Sequence, residues 1–282
     1  MSVAAMRTTR LPSGEAVPIL GQGTWRMAER PRRRTEEIAA LRAGLDLGMT
    51  LIDTAEMYAE GGAEELVADA IAGRRDEVFL VTKVLPSNAT RRGTVAACER
   101  SLRRLETDRI DLYLLHWRGN TPLEETLEAF ENLSGAGKIR YWGVSNFDVA
   151  DMEELVNSPG GSAVVTDQVL YNLSRRGIEH DLLPWCGRRR IPIMAYTPIE
   201  EGRLLRHRSL NAIALRHRVT LVQVALAWLL RQDGLIAIPK AGTPEHVREN
   251  RAAVGLRLSE QDLAELDRAF PAPSEPASLQ ML

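Results

Sequence analysis

The sequence predicts an α/β protein, a (β/α)8 TIM barrel with a short N-terminal β-hairpin, as a single domain. Three observations predict it. Eight short apolar runs recur along the chain, each followed by a stretch of helical spacing. The runs are nearly continuous in Val, Ile and Leu, as expected of parallel strands covered on both faces. The length of 282 residues suits eight strand–helix units, which take roughly 250.

The runs are PILGQG (18–23), TLID (50–53), VFLVTK (78–83), DLYLLH (111–116), YWGVS (141–145), VVTDQV (164–169), IPIMAY (191–196) and LIAIPK (235–240). Among the helices, Ile38, Leu41 and Leu45 recur at three and four, and Gly48 follows as a stop. Val95, Leu102 and Leu105 mark another, and Thr220 before Leu221, Val224, Leu226 and Leu229 a third. An open doubly wound sheet would carry G-x-G-x-x-G after its first strand. GQGTWR (21–26) instead has Arg26 where the third Gly belongs. MRTTRLPSGEAVP (6–18) reads as a hairpin around Pro12, Ser13 and Gly14. The Pro- and Ser-rich tail over 271–282 is expected to lack regular structure, and with no linker in view residues 1–282 read as one domain.

A net charge of −2 gives no electrostatic footprint for nucleic acid. The Arg runs at 30–34 and 188–190 read as solvated helix ends. Cys98 and Cys186 stand in no metal-like spacing, so no metal is expected and a reduced, cytoplasmic compartment is. The N-terminus lacks the pattern of a signal peptide. The longest apolar stretch, LVQVALAWLL (221–230), is well short of the roughly 20 residues that cross a bilayer, so no membrane partner is expected.

Five of the runs end on polar residues that a strand does not choose for itself, Asp53, Lys83, His116, Ser145 with Asn146 beside it, and Lys240, and a sixth carries Gln168. In a barrel the C-terminal strand ends form one mouth. Each such residue costs desolvation unless it is paired, so six on one rim imply a shared polar site. Tyr58, five residues past Asp53 in the loop EMYAEGG (56–62), belongs beside the same mouth.

These residues resemble the aldo-keto reductases. LIDTAEMY (51–58) is similar to a signature of that family, with Asp53 and Tyr58 at matching positions. Lys83 after FLVT and His116 in YLLHW match two more of its positions. GKIRYWGVSNF (137–147) and IPKAGTPEHVREN (238–250) resemble two further signatures. The similarity runs from GQGTW to the helix after Ser259. In detail GQGTW, AEMYAEGGAE, CERSLRRL, LLPWC and AIPKA look most like the bacterial branch that includes methylglyoxal reductases.

The resemblance implies reduction of a carbonyl to an alcohol by hydride transfer from NADPH, with Asp53, Tyr58, Lys83 and His116 as catalytic residues. Tyr58 would be the proton donor. A phenol of pKa about 10 is a poor donor near neutrality. A neighbouring Lys83 ammonium is expected to lower that value, with Asp53 orienting the ammonium. His116 would hydrogen-bond the carbonyl oxygen. The alternative on the same fold is a cofactor-binding sensor or regulatory subunit.

For the cofactor, the resemblance implies Ser145, Asn146 and Gln168 on the nicotinamide carboxamide and Tyr196 stacked on its ring. Gly23, Thr24, Trp25 and Asp53 would line the inner end. Thr197, Pro198, Ile199, Gly202 and Leu204 would pass over the pyrophosphate. Ile238, Pro239, Lys240, Thr243, His246 and Asn250 would complete the adenosine end. Thr243-Pro244-Glu245 reads as a helix start, suited to an anion. Ala241 and His246 stand where a Ser and an Arg are usual in the family, so the preference for NADPH is expected to rest on Lys240. Trp25, Met57, Tyr58, His116 and Trp117 would form the substrate pocket, with Trp142 also near the mouth. Short loops and a short tail imply a small aldehyde, best methylglyoxal or a similar 2-oxoaldehyde, acted on by a monomer.

Overall fold

A computed structural model describes residues 5–200, 202 and 207–282. Thr8–Arg10 (β1) and Ala16–Pro18 (β2) form the expected antiparallel hairpin, with Thr9 opposite Val17. The main sheet holds Gln22–Gly23 (β3), Leu51–Asp53 (β4), Phe79–Val84 (β5), Ile110–Leu115 (β6), Ile139–Ser145 (β7), Asp167–Leu170 (β8), Ile193–Tyr196 (β9) and Leu235–Ala237 (β10). Neighbouring strands pair in parallel and in chain order. Parallel bridges from Leu20 to Ala237 and from Gly23 to Lys240 join the last strand to the first and close the barrel. That closure is tight: a Cβ on Gly23 would stand 2.7 Å from the Ile238 carbonyl oxygen.

The outer layer is Arg34–Asp46 (α1), Gly62–Ile71 (α2), Arg91–Arg104 (α3), Leu123–Gly135 (α4), Val149–Asn157 (α5), Leu182–Arg189 (α6), Arg208–His217 (α7), Leu221–Leu230 (α8), Pro244–Ala252 (α9) and Glu260–Ala269 (α10). Local chemistry fixes their starts. The Thr90 hydroxyl caps α3, and capping boxes open α5 (Asp148 with Asp151), α8 (Thr220 with Gln223) and α10 (Ser259 with Asp262). Gly48, at φ 80°, follows α1 as its spacing predicts. No single helix among the described residues is long and apolar enough to cross a membrane. From Pro271 onward the tail has neither helix nor strand.

The period of two along each strand sorts side chains into two cores. Leu51, Phe79, Val81, Leu112, Leu114, Met194, Ile236 and Ile238 pack inside the barrel, where Leu11 and Val17 of the hairpin region join them. Ile52, Leu80, Tyr113, Val144, Val169 and Ala195 face the helices. The inward parity continues to the strand ends: Leu51 to Asp53, Val81 to Lys83, Leu114 to His116, Met194 to Tyr196 and Ile238 to Lys240. The inner stack is apolar below and polar at the mouth.

Trp142 departs from expectation. It lies an odd number of residues before Ser145 and so faces outward. There it stacks on Phe130 of α4, with ring centroids 5.4 Å apart at 24°. It belongs to the strand–helix layer and not to the mouth.

Candidate active site

A cavity of about 530 Å³ opens at the C-terminal ends of the strands. Lys83 lies under it, fully buried among three oxygens. Its Nζ donates to Asp53 Oδ2 at 2.8 Å, to the Thr54 carbonyl at 2.8 Å and to Tyr58 Oη at 3.3 Å. The second Asp53 oxygen accepts from Gln168 Nε2 at 2.8 Å. Asp53 is thus clamped from both sides, and its carboxylate fixes the ammonium in place.

Tyr58 arrives on a strained loop. Ala59 and Glu60 behind it have φ of 49° and 56°, in the left-handed region. Its ring sits edge-on to Trp25 at 5.1 Å and to His116 at 5.8 Å. Burial pushes the Tyr58 phenol well above its ordinary pKa, and the Asp53 carboxylate pushes the same way. Burial of the phenol thus works against the lowering expected from the Lys83 ammonium. Burial also lowers the Lys83 pKa, while Asp53 opposes that.

His116 is pushed down to about 2, first by burial and then by the Lys83 charge, so the imidazole is neutral. Its buried Nδ1 has no hydrogen-bond partner among the described residues. A proton there would be an orphaned donor, which is rarer than a bare acceptor. In the tautomer that carries its proton on Nε2, the residue offers the cavity a hydrogen-bond donor.

Across the cavity lie Ser145, Asn146, Gln168 and Tyr196. Asn146, at φ 59°, donates to the His116 carbonyl and to Ser145 Oγ, both at 3.1 Å, and accepts from the Tyr196 hydroxyl at 2.9 Å. Gly23, Trp25, Met57, Trp117, Thr197, Pro198, Ile199, Gly202, Ile238 and Lys240 complete the expected residues on its wall. Leu204 lies outside the described residues.

Several expected residues do not reach this wall. Thr24 is fully buried and donates to the Asp53 carbonyl at 3.0 Å, steadying the strand end from behind. Pro239 is not on the wall, and its carbonyl accepts from Gly23 N–H at 3.1 Å across the barrel closure. Thr243 caps α9 through the His246 N–H at 3.3 Å, His246 is exposed, and Asn250 is buried.

Other residues at the site were not anticipated. Arg26, Met281 and Leu282 line the cavity. Parity gives no clue to the last two, because the tail has no periodic structure. Beside α9, a Cβ on Gly242 would stand 3.1 Å from Arg33 Nη2 and 3.1 Å from Lys240 Nζ. Arg33 had read as a solvated helix end. Burial lowers the Lys240 pKa; Arg33 and Arg26 also lower it, against Glu37 and Glu29.

The mouth of the closed parallel barrel thus gathers a buried Asp–Lys pair, a tyrosine and a neutral histidine. The chain belongs to the aldo/keto reductase family, whose model matches residues 19–270. It is 53% identical over 272 residues to methylglyoxal reductase YeaE of Escherichia coli, covering 95% of this chain and 96% of that one. It is 33% identical to glyoxal reductase of Bacillus subtilis, covering 98% of this chain and 99% of the relative. Among solved structures, an aldo/keto reductase from Klebsiella pneumoniae in complex with NADP and acetate superposes with a TM-score of 0.96 at 50% identity, covering 99% and 100% of the two chains.

Proposed function

We propose that this protein reduces a small aldehyde, with methylglyoxal or a similar 2-oxoaldehyde as preferred substrate, using NADPH. The single observation that carries this reading is the bonding of Lys83 to both Asp53 and Tyr58 on the cavity floor. Likeness to a methylglyoxal reductase and to a glyoxal reductase supports the substrate, and the NADP complex of the Klebsiella relative supports the cofactor.

The donor set fits NADPH. Ser145, Asn146 and Gln168 offer the mixed donors and acceptors that a carboxamide needs. Tyr196 offers an aromatic ring, and Lys240 with Arg33 offers charge for a phosphate. When bound, the cofactor supplies the hydride. The protein's part is the oxygen end of the carbonyl. The His116 imidazole donates a hydrogen bond to that oxygen and places it. Tyr58 gives its phenolic proton to the oxygen as negative charge develops there. A neutral phenol keeps its proton until that moment. The phenolate left behind then lies beside the Lys83 ammonium, so Lys83 acts on the transition state more than on the resting site. Trp25, Met57 and Trp117, now joined by Met281 and Leu282, wall the substrate with apolar surface.

Initial rates of NADPH oxidation with methylglyoxal, an aromatic aldehyde, an aldose and a steroid ketone test the reading. The expected order of kcat/KM places methylglyoxal first. Preference for the sugar or the steroid over both small aldehydes overturns the substrate, and no turnover with any carbonyl favours a regulatory subunit.

A further inference from the structure

We infer that Arg33 reads the 2′-phosphate of NADPH together with Lys240, and so determines cofactor preference in this chain. The inference rests on the reading of the cavity as an NADPH site.

Arg33 is not on the last strand or its helix. It closes the 3₁₀ turn Pro31–Arg33 that leads into α1. The fold nevertheless brings its guanidinium to the same Gly242 that Lys240 approaches. Two cations from opposite ends of the chain thus converge on one stretch of backbone at the start of α9. Lys240 is half-buried and makes no hydrogen bond or ion pair to any described residue. Among the described residues Arg33 pairs with Glu36 Oε2 at 3.4 Å, an exposed contact that contributes little. The Glu37 and Glu29 carboxylates offset part of the repulsion between the two cations, and an anion placed between them would offset the rest. A phosphate has three terminal oxygens and can accept from both groups at once, and the guanidinium fork suits it in geometry as well as charge.

His246, expected as the weak point of the phosphate site, is exposed and one turn into α9. Arg33 supplies from another loop the guanidinium that this position lacks. Gly242 has a part in this. A Cβ there would stand 3.1 Å from both nitrogens, in the space a phosphate would share with them.

The test compares wild type, Arg33→Gln, Arg33→Lys and Lys240→Gln. Binding of NADPH and NADH is measured by quenching of protein fluorescence, and binding of adenosine 2′,5′-bisphosphate against AMP by calorimetry. Thermal melts verify folding; with only an exposed partner lost, Arg33→Gln is expected to melt as wild type does. Arg33→Gln should weaken NADPH and the bisphosphate roughly 10-fold or more and leave NADH and AMP nearly unchanged. Arg33→Lys should recover part of the loss, and the salt dependence of NADPH binding should flatten in Arg33→Gln. If wild type prefers NADPH and Arg33→Gln preserves that preference, the role of Arg33 is overturned while the cofactor reading stands. If wild type itself binds NADPH and NADH alike, both fall. Equal weakening of NADPH and NADH places Arg33 on a shared part of the cofactor and also overturns the inference.

Discussion

Lys83 Nζ stands 3.3 Å from Tyr58 Oη while it is held at 2.8 Å by Asp53, so the ammonium bridges a carboxylate and a phenol in one buried line. Asp53 raises the pKa of both partners. Asp53→Asn keeps the shape and removes the charge, so both values should fall. The alkaline loss of activity should then begin at lower pH than in wild type. Lys83→Met should be more damaging, because the charge beside the phenolate is gone. The pH profile of kcat for the two variants checks this, and an unshifted alkaline limb in Asp53→Asn contradicts it.

His116 carries a cost at acid pH. Its folded value is about 2 against an ordinary 6.5, so between these limits the unfolded chain binds a proton that the native chain does not. Stability therefore rises with pH through that window and is lost as pH falls, by up to about 1.4 kcal/mol per unit. His116→Phe should lose stability less steeply than wild type between about pH 6 and 4. Parallel urea-unfolding free energies over that range would show that burial does not hold the imidazole neutral.

The two tryptophans at positions 117 and 142 separate the mouth from the wall behind it. Trp142 packs on Phe130 between strand and helix, whereas the Trp117 ring lies beside His116, with centroids 5.1 Å apart, and lines the cavity. Trp142→Ala should cost about 3–5 kcal/mol of stability. Under conditions where it is folded, kcat/KM should change little. Trp117→Ala should do the reverse, raising KM for small aldehydes with a smaller loss of stability. Thermal melts and steady-state kinetics on both variants decide, and a shared pattern contradicts the placement.

Much of this was legible from residue order. The eight apolar runs and the polar residue that ends most of them led to the barrel and to Asp53, Lys83, His116, Ser145 and Gln168 at one mouth. The outward placement of Trp142 follows from the strand itself, because counting back from Ser145 by twos reaches Gly143 and Tyr141 and skips it. Thr24 fails the same count from Gly23. Arg33 and the tail residues Met281 and Leu282 were not legible. They reach the site through loops, where no period relates a side chain's position in sequence to its direction. The raised Tyr58 pKa was hidden for another reason: a motif names the charged neighbour but not the depth of burial that opposes it.

In the proposed function Tyr58 delivers the proton while Lys83 awaits the charge it leaves. Tyr58→Phe removes one oxygen and keeps the ring that packs on Trp25 and His116. The direct measurement is single-turnover reduction of methylglyoxal by the NADPH-loaded variant, with NADPH affinity measured alongside. The expected rate is lower by roughly 10² to 10⁴-fold, with NADPH affinity within about twofold of wild type. A Tyr58→Phe enzyme that retains more than about a tenth of the wild-type single-turnover rate would contradict it.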